Sequence, residues 1–392
     1  MKIINDRRSV LARLKEARGR RVPILSPNAE TPDEMEAILL AAQQFAVETN
    51  SARVTMGIGI TAGYPDHPQL VRLHPLTRWQ GARPAVAAGV SPAVEPGFQP
   101  GGKNLTQFQR ARISRHPIRA AGRTPSTSGG TPDATSAAAP EGGLLPVALR
   151  WLDWLDSYTR DPWFDRVEVI PFWDHGWAPL EAPLLANAEL VRRMGIIFFD
   201  ASALPFEENI ALTAAYVARF GKQVVIEGCP DKIASQAEIQ AATDLKKHSA
   251  LSKPALVREF VRRTGVDLVV PSLGTEHRGL PGESIRYRTA LARRLRAENG
   301  DILVLHGTSS LGDRIAAVGR DGVVKVNFYT GAARAAGAAL RNAWATKPTP
   351  LPIEAAAGSF VHATRREAVR SEVLALLKRL GIARKTQRKK RP

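Results

Sequence analysis

Three histidines in this 392-residue chain each stand just after a run of apolar, strand-like residues: His175 in VEVIPFWDHG, His277 in DLVVPSLGTEH and His306 in DILVLHG. Neutral imidazole is the commonest protein metal ligand, and three protein ligands leave the fourth position of a tetrahedral ion open to substrate. That open position separates a catalytic zinc from a structural one. Asp174 directly precedes His175, so a carboxylate able to accept and return a proton stands beside a candidate metal ligand. The same carboxylate could instead orient an imidazole through a hydrogen bond. The single cysteine, Cys229, excludes an internal disulfide framework and a thiolate-rich zinc module, which leaves histidine and carboxylate as the ligand types.

Histidines so far apart in sequence act together only if the fold gathers the strand ends. Short apolar runs rich in β-branched residues occur at 22–26, 52–59, 166–172, 195–200, 223–228, 267–273, 301–306 and 322–328. Such runs suit strands buried on both faces. Helix-like stretches such as TPDEMEAILLAAQQFAVET and LPFEENIALTAAYVARFG separate most of them. This alternation predicts an α/β fold, a (β/α)8 TIM barrel, whose active sites lie at the carboxyl ends of the strands. Residues 3–17 carry Ile3, Ile4, Val10, Leu11 and Leu14 and predict an amphipathic helix closing the bottom of the barrel.

Residues 75–143, rich in Pro, Gly, Ser, Thr, Ala and Arg, lack the apolar content to offset chain entropy and predict a disordered insertion before the third strand. The organisation expected is one barrel domain over 1–362, followed by a C-terminal helix and basic tail over 363–392. The formal net charge is +18. About +6 of it falls in residues 1–21, about +5 in 75–142 and about +9 in 364–392, so the charge sits in appendages. The tail ARKTQRKKRP has no aromatics for base stacking, which argues against a specific nucleic-acid partner and leaves a solvated arm or non-specific anion contact. No stretch reaches the roughly 20 apolar residues of a membrane span and no signal-peptide core opens the chain, so a cytoplasmic protein is expected.

The segment FFDASALPFEENI (198–210) resembles the D-G-S-x-L-P-F-E-E-N motif of the class II, zinc-dependent fructose-bisphosphate and tagatose-bisphosphate aldolase family, with Ala201 in place of glycine. WDHG, GTEH, LVLHGTSS and KVNFYT match further family segments in order. The resemblance implies Zn2+ held by His175, His277 and His306, with proton transfer by Asp174. It implies reversible cleavage of a ketose 1-phosphate or ketose bisphosphate to dihydroxyacetone phosphate and an aldehyde, within carbohydrate metabolism such as glycolysis, by a homodimer or homotetramer. The partner would be a small sugar phosphate. Gly307, Thr308, Ser309 and Ser310 after the seventh strand, and Asn327 and Thr330 after the eighth, stand where barrels bind phosphate, although an ordinary polar loop has the same composition. By resemblance, Asn327 would contact the three-carbon unit.

The chain also departs from the family. In EGCPD, Glu227 keeps the first acidic position of E-x-E-x-G, while Cys229 replaces a glutamate that approaches the metal. That cysteine could ligate zinc or simply fill space. Ser26 stands for the asparagine usual after the first strand, Arg278 for a glycine after the second histidine, and Glu238 matches a mobile-loop glutamate only weakly. The alternative is a non-catalytic aldolase-like subunit that binds metal or sugar phosphate.

Overall fold

A computed structural model of the chain describes residues 1–61, 144–231, 251–275, 287–308 and 311–388. The low-complexity stretch 75–143 and the residues Glu238, His277, Arg278, Ser309 and Ser310 lie outside them. The eight expected strands are β2 (Ile24–Pro27), β3 (Val54–Ile60), β4 (Val167–Trp177), β5 (Ile196–Asp200), β6 (Val225–Gly228), β7 (Leu268–Val269), β8 (Leu303–Leu305) and β9 (Val323–Phe328). All pair in parallel along the path β3-β4-β5-β6-β7-β8-β9-β2. A bridge from Asn28 to Gly59 links the ends of β2 and β3, so the sheet curls toward itself in a TIM-barrel-like fold.

The two faces of each strand feed two different cores, as period-two alternation requires. Ile170, Phe172, Ile196, Phe198, Val225, Leu268, Val304 and Val324 fill the inner one. Val169, Trp173, Ile197, Phe199, Ile226, Val269 and Val326 face the outer one. Helices cover that outer face, among them α2 (Pro32–Glu48), α3 (Leu144–Ser157), α4 (Ala178–Leu185), α5 (Ala188–Arg193), α6 (Phe206–Phe220), α7 (Pro254–Thr264), α8 (Thr289–Asn299) and α9 (Thr330–Ala345).

The opening segment differs from the expected helix over 3–17. Lys2–Ile3 forms a short strand, β1, beside β4, and α1 spans Arg7–Arg20. Asp6 sets the start: its carboxylate accepts the Ser9 amide at 2.8 Å, so the helix cannot begin earlier without losing its cap. Val10, Leu14 and Ala17 then pack into the inner core, and Arg7 and Arg13 clamp Asp267 and Glu168 through paired bonds of 2.6 to 3.0 Å.

After α10 (Ile353–Ala356), the final helix, α11 (Gly358–Arg388), begins before position 363. Its Val369, Val373, Leu376, Leu377 and Leu380 are buried in the outer core with α2. Arg365 pairs with Glu34 at 2.6 Å and Arg366 with Glu36 at 2.9 Å, fixing α11 against α2.

Gly59 marks a close approach between β3 and the barrel interior. A Cβ there would lie 2.2 Å from the Phe172 ring and 2.4 Å from Oδ1 of Asn28. Gly59→Ala is therefore expected to lower unfolding free energy by about 1–3 kcal/mol through overpacking. Urea titration should show a lower midpoint at unchanged slope, and an unaltered midpoint would mean that the ring and amide yield freely.

Candidate active site

Asp174 and His175 are consecutive, yet both side chains serve one cluster. On a regular strand neighbours point to opposite faces. In the β4–β5 pairing Trp173 lies opposite Ile197 and Gly176 opposite Phe199, so β4 carries one additional residue, a β-bulge. His175 absorbs the kink with φ at 49°, a left-handed conformation uncommon outside glycine.

The carboxylate of Asp174 is buried and held from two sides. Its Oδ2 accepts Asn28 Nδ2 at 2.8 Å and Thr61 Oγ1 at 3.4 Å, and its Oδ1 accepts Asn327 Nδ2 at 2.9 Å. The Asn327 amide also lies 3.0 Å from Nε2 of His306. The rings of His175 and His306 meet edge to face with centroids 4.9 Å apart, both against Phe198.

His175 is oriented by Asp200 at the end of β5, whose Oδ2 lies 2.9 Å from Nδ1. Ser202 donates to the other carboxylate oxygen through its amide at 3.0 Å and its hydroxyl at 2.6 Å. Burial alone would lower the His175 pKa, but the carboxylates of Asp174, Asp200 and Glu227 outweigh it and raise the value. Burial would raise that of Asp200, and the bonds from His175 and Ser202 reverse it to a net lowering. With Nδ1–H donated to Asp200, the lone pair of a neutral His175 ring falls on Nε2, the tautomer a metal ligand needs.

Among the described residues, Asp174, His175 and His306 can each offer one ligand atom within 4.8 Å of the others. Two imidazoles and a carboxylate, with one imidazole held by a further carboxylate, form a nitrogen–oxygen donor set that fits a divalent ion such as zinc. Of the expected triad of His175, His277 and His306, the structure brings His175 and His306 together, with Asp174 beside them. His277 lies outside the described residues, which end before it at Thr275.

The remaining expected residues fall around this cluster. Gly307 follows β8 with φ at 67°, and Thr308 bonds to the Asn327 carbonyl at 2.6 Å, tying the β8 loop to β9. Thr330 opens α9. Glu227 is fully buried beneath the cluster, 2.8 Å from Nζ of Lys325. Cys229 lies in the inner core with its sulfur 2.7 Å from the Asp231 carbonyl and 3.1 Å from that of Val270. Burial pushes its thiol well up, so the sulfur is a protonated donor to backbone.

Asn28 corrects the expectation attached to Ser26. The amide that reaches Asp174 comes from two residues further on, where the chain leaves β2, while Ser26 is wholly buried opposite Asn327. Asp200 and Asn209 explain the acidic-amide motif. Asp200 holds His175, and Asn209 donates to the Cys229 carbonyl at 2.8 Å, fixing the end of β6. The signal the sequence carried for both is their place in the segment FFDASALPFEENI.

A family model described as fructose-bisphosphate aldolase class-II matches residues 156–385, more than half of the chain. The chain belongs to the class II fructose-bisphosphate aldolase family. It is 30% identical over 224 residues to the uncharacterized protein YdjI of Escherichia coli K12, a match covering 55% of this chain and 72% of YdjI. The crystal structure of the YdjI aldolase superposes with a TM-score of 0.55 at 18% identity, covering 97% of this chain and 98% of that one. The fructose-bisphosphate aldolase of Campylobacter jejuni gives a TM-score of 0.61 at 13% identity, covering 97% and 96%. At such identities the superpositions speak for the fold. Among the described residues no helix is long and apolar enough to cross a membrane.

Two measurements probe this family site. Asp200→Asn would present an amide N–H to Nδ1 of His175 and drive the ring proton to Nε2. Affinity for a divalent metal should fall about 10- to 100-fold in a metal titration, and unchanged affinity would remove Asp200 from the support of the site.

Glu181 is buried on α4, accepts the Trp173 indole N–H at 3.0 Å, and is pushed up to about 8, chiefly by burial. The folded state holds its proton where the unfolded chain releases it. Folding therefore takes up a proton, and stability is lost as pH rises from about 5 to about 8. Glu181→Gln should flatten that decline in urea midpoints taken across this range, whereas parallel curves would show that the buried carboxyl is ionised.

Proposed function

We propose that the chain is a (β/α)8-barrel lyase that reversibly cleaves a ketose 1-phosphate or ketose bisphosphate to dihydroxyacetone phosphate and an aldehyde. The observation that carries this reading is the Asp174 carboxylate, buried at the barrel mouth beside two imidazoles and held by Asn28, Thr61 and Asn327. Zn2+ held by His175, His306 and His277 would stabilise, as a Lewis acid, the negative charge left on the three-carbon fragment. Asp174 takes the proton from the hydroxyl on the carbon that becomes the aldehyde, and returns it when the reaction runs as a condensation. Its two oxygens are fixed by amides from β2 and β9, so the base is aimed before substrate arrives.

Asn327 contributes an N–H at the same point and contacts the three-carbon unit. Gly307, whose positive φ opens the backbone, together with Ser309 and Thr330 at the amino end of α9, binds the phosphate. The buried, protonated Cys229 fills space beside the site, and Arg278 adds a positive charge that favours a phosphorylated substrate. The protein works in the cytoplasm as a dimer or tetramer, with residues 363–392 carrying most of the last helix and a basic tail.

Purified protein is expected to contain about one zinc per chain, to lose it in His277→Ala, and to release dihydroxyacetone phosphate from a panel of ketose phosphates. Asp174→Asn should retain the metal while kcat falls by roughly 10²-fold or more. Loss of the metal in that variant would make Asp174 a ligand. A metal-replete wild type that cleaves no ketose phosphate would favour the non-catalytic subunit.

A further inference from the structure

Lys325 is a lysine with no exposed surface, placed on β9 two residues before Asn327. Burying an ammonium is costly unless each of its donors finds a partner. Here the partners are distinct in kind. Nζ lies 2.8 Å from the Glu227 carboxylate on β6, 2.6 Å from Oδ1 of Asn327, and 3.9 Å from the centroid of the Phe172 ring on β4. Phe172 is itself backed by Gly59, where no side chain would fit. The ammonium therefore has little freedom to move.

The consequence falls on Asn327. An asparagine amide has one accepting and one donating end, and packing alone scarcely distinguishes them. An ammonium on Oδ1 does. Turning the amide over would set its N–H2 against the ammonium and its carbonyl against the Asp174 carboxylate, two repulsions in a low-dielectric interior. In the observed orientation Nδ2 reaches Asp174 Oδ1 at 2.9 Å and lies 3.0 Å from His306 Nε2.

We infer that Lys325, paired with Glu227, is a positioning residue that fixes the orientation of the Asn327 amide and so aims its N–H at Asp174. This inference rests on the proposed role of Asp174 in proton transfer. Lys325 meets no substrate; it acts through Asn327.

Lys325→Met leaves Glu227 buried without its cation and should lower the thermal midpoint sharply. The double variant Lys325→Met with Glu227→Gln removes both charges and should restore the midpoint, since replacing a buried pair together is far milder than breaking it. In that restored protein kcat should remain about 10²-fold below wild type with metal content and KM within about twofold, because the misplaced amide no longer aims the base. A double variant with wild-type kcat would reduce the pair to a structural role.

A measurement on the wild-type protein covers failure of the double variant to fold. With 15N-asparagine labelling, the side-chain amide resonance that vanishes in Asn327→Asp should show protons exchanging at least 10³-fold more slowly than free asparagine. Exchange at the free rate would overturn the locked amide. If wild type cleaves no ketose phosphate, the functional reading fails and the exchange measurement alone decides the positioning of Asn327.

Discussion

A parallel strand offers only every second side chain to the mouth of a barrel, and this protein needs two neighbours there at once. The bulge in β4, with His175 at φ of 49°, meets that requirement and sets the geometry of the site. Asp174 turns toward Asn28 and Asn327, while His175 turns toward Asp200 and His306. A backbone in the left-handed region persists only where its surroundings over-determine it. Here the carboxylate of Asp200, itself held by Ser202, anchors the ring from β5, and Gly176 allows close passage because a Cβ would lie 2.8 Å from the Phe198 carbonyl.

Around that bulge the buried polar groups form one connected system. Asp174 accepts from three side chains, Asn327 links it to His306 and Lys325, and Lys325 passes to Glu227. Four strands, β4, β6, β8 and β9, together with the ends of β2 and β3, supply the members. Such a network is specific because each unmet bond in a dry interior costs a large share of a domain's net stability. Below it apolar side chains fill the inner core, from Phe172 and Phe198 down to Val10 and Leu14 of α1, and the buried Glu168 is met there by Arg13 and Thr55.

The outer face of the barrel reaches the site through β2 and α2. Glu34 accepts the Glu30 amide at 2.8 Å and pairs with Arg365 of α11, and Tyr329 after β9 bonds to Glu30. Burial raises the Glu30 pKa while the Tyr329 hydroxyl works against it. The final helix is thereby joined to the two chain segments that carry Asn28 and Asn327, so its packing bears on the amides that hold Asp174.

The sequence by itself determined the strand positions, because apolar β-branched runs are buried on both faces whatever their neighbours, and it determined the family, because FFDASALPFEENI and the histidine segments are local patterns. It also marked Asp174, His175 and His306 through their place at the ends of those runs. Only tertiary structure decided that Asn28 rather than the position of Ser26 meets Asp174, since a two-residue displacement past a strand end is invisible to spacing. Only tertiary structure decided that Asp200 serves His175, that Cys229 turns its thiol to two carbonyls, and that Lys325 is buried on Glu227, Phe172 and Asn327. Each of those contacts joins residues on different strands, and their partners are set by how the sheet curls and where β4 bulges, a geometry that no local stretch of residues encodes.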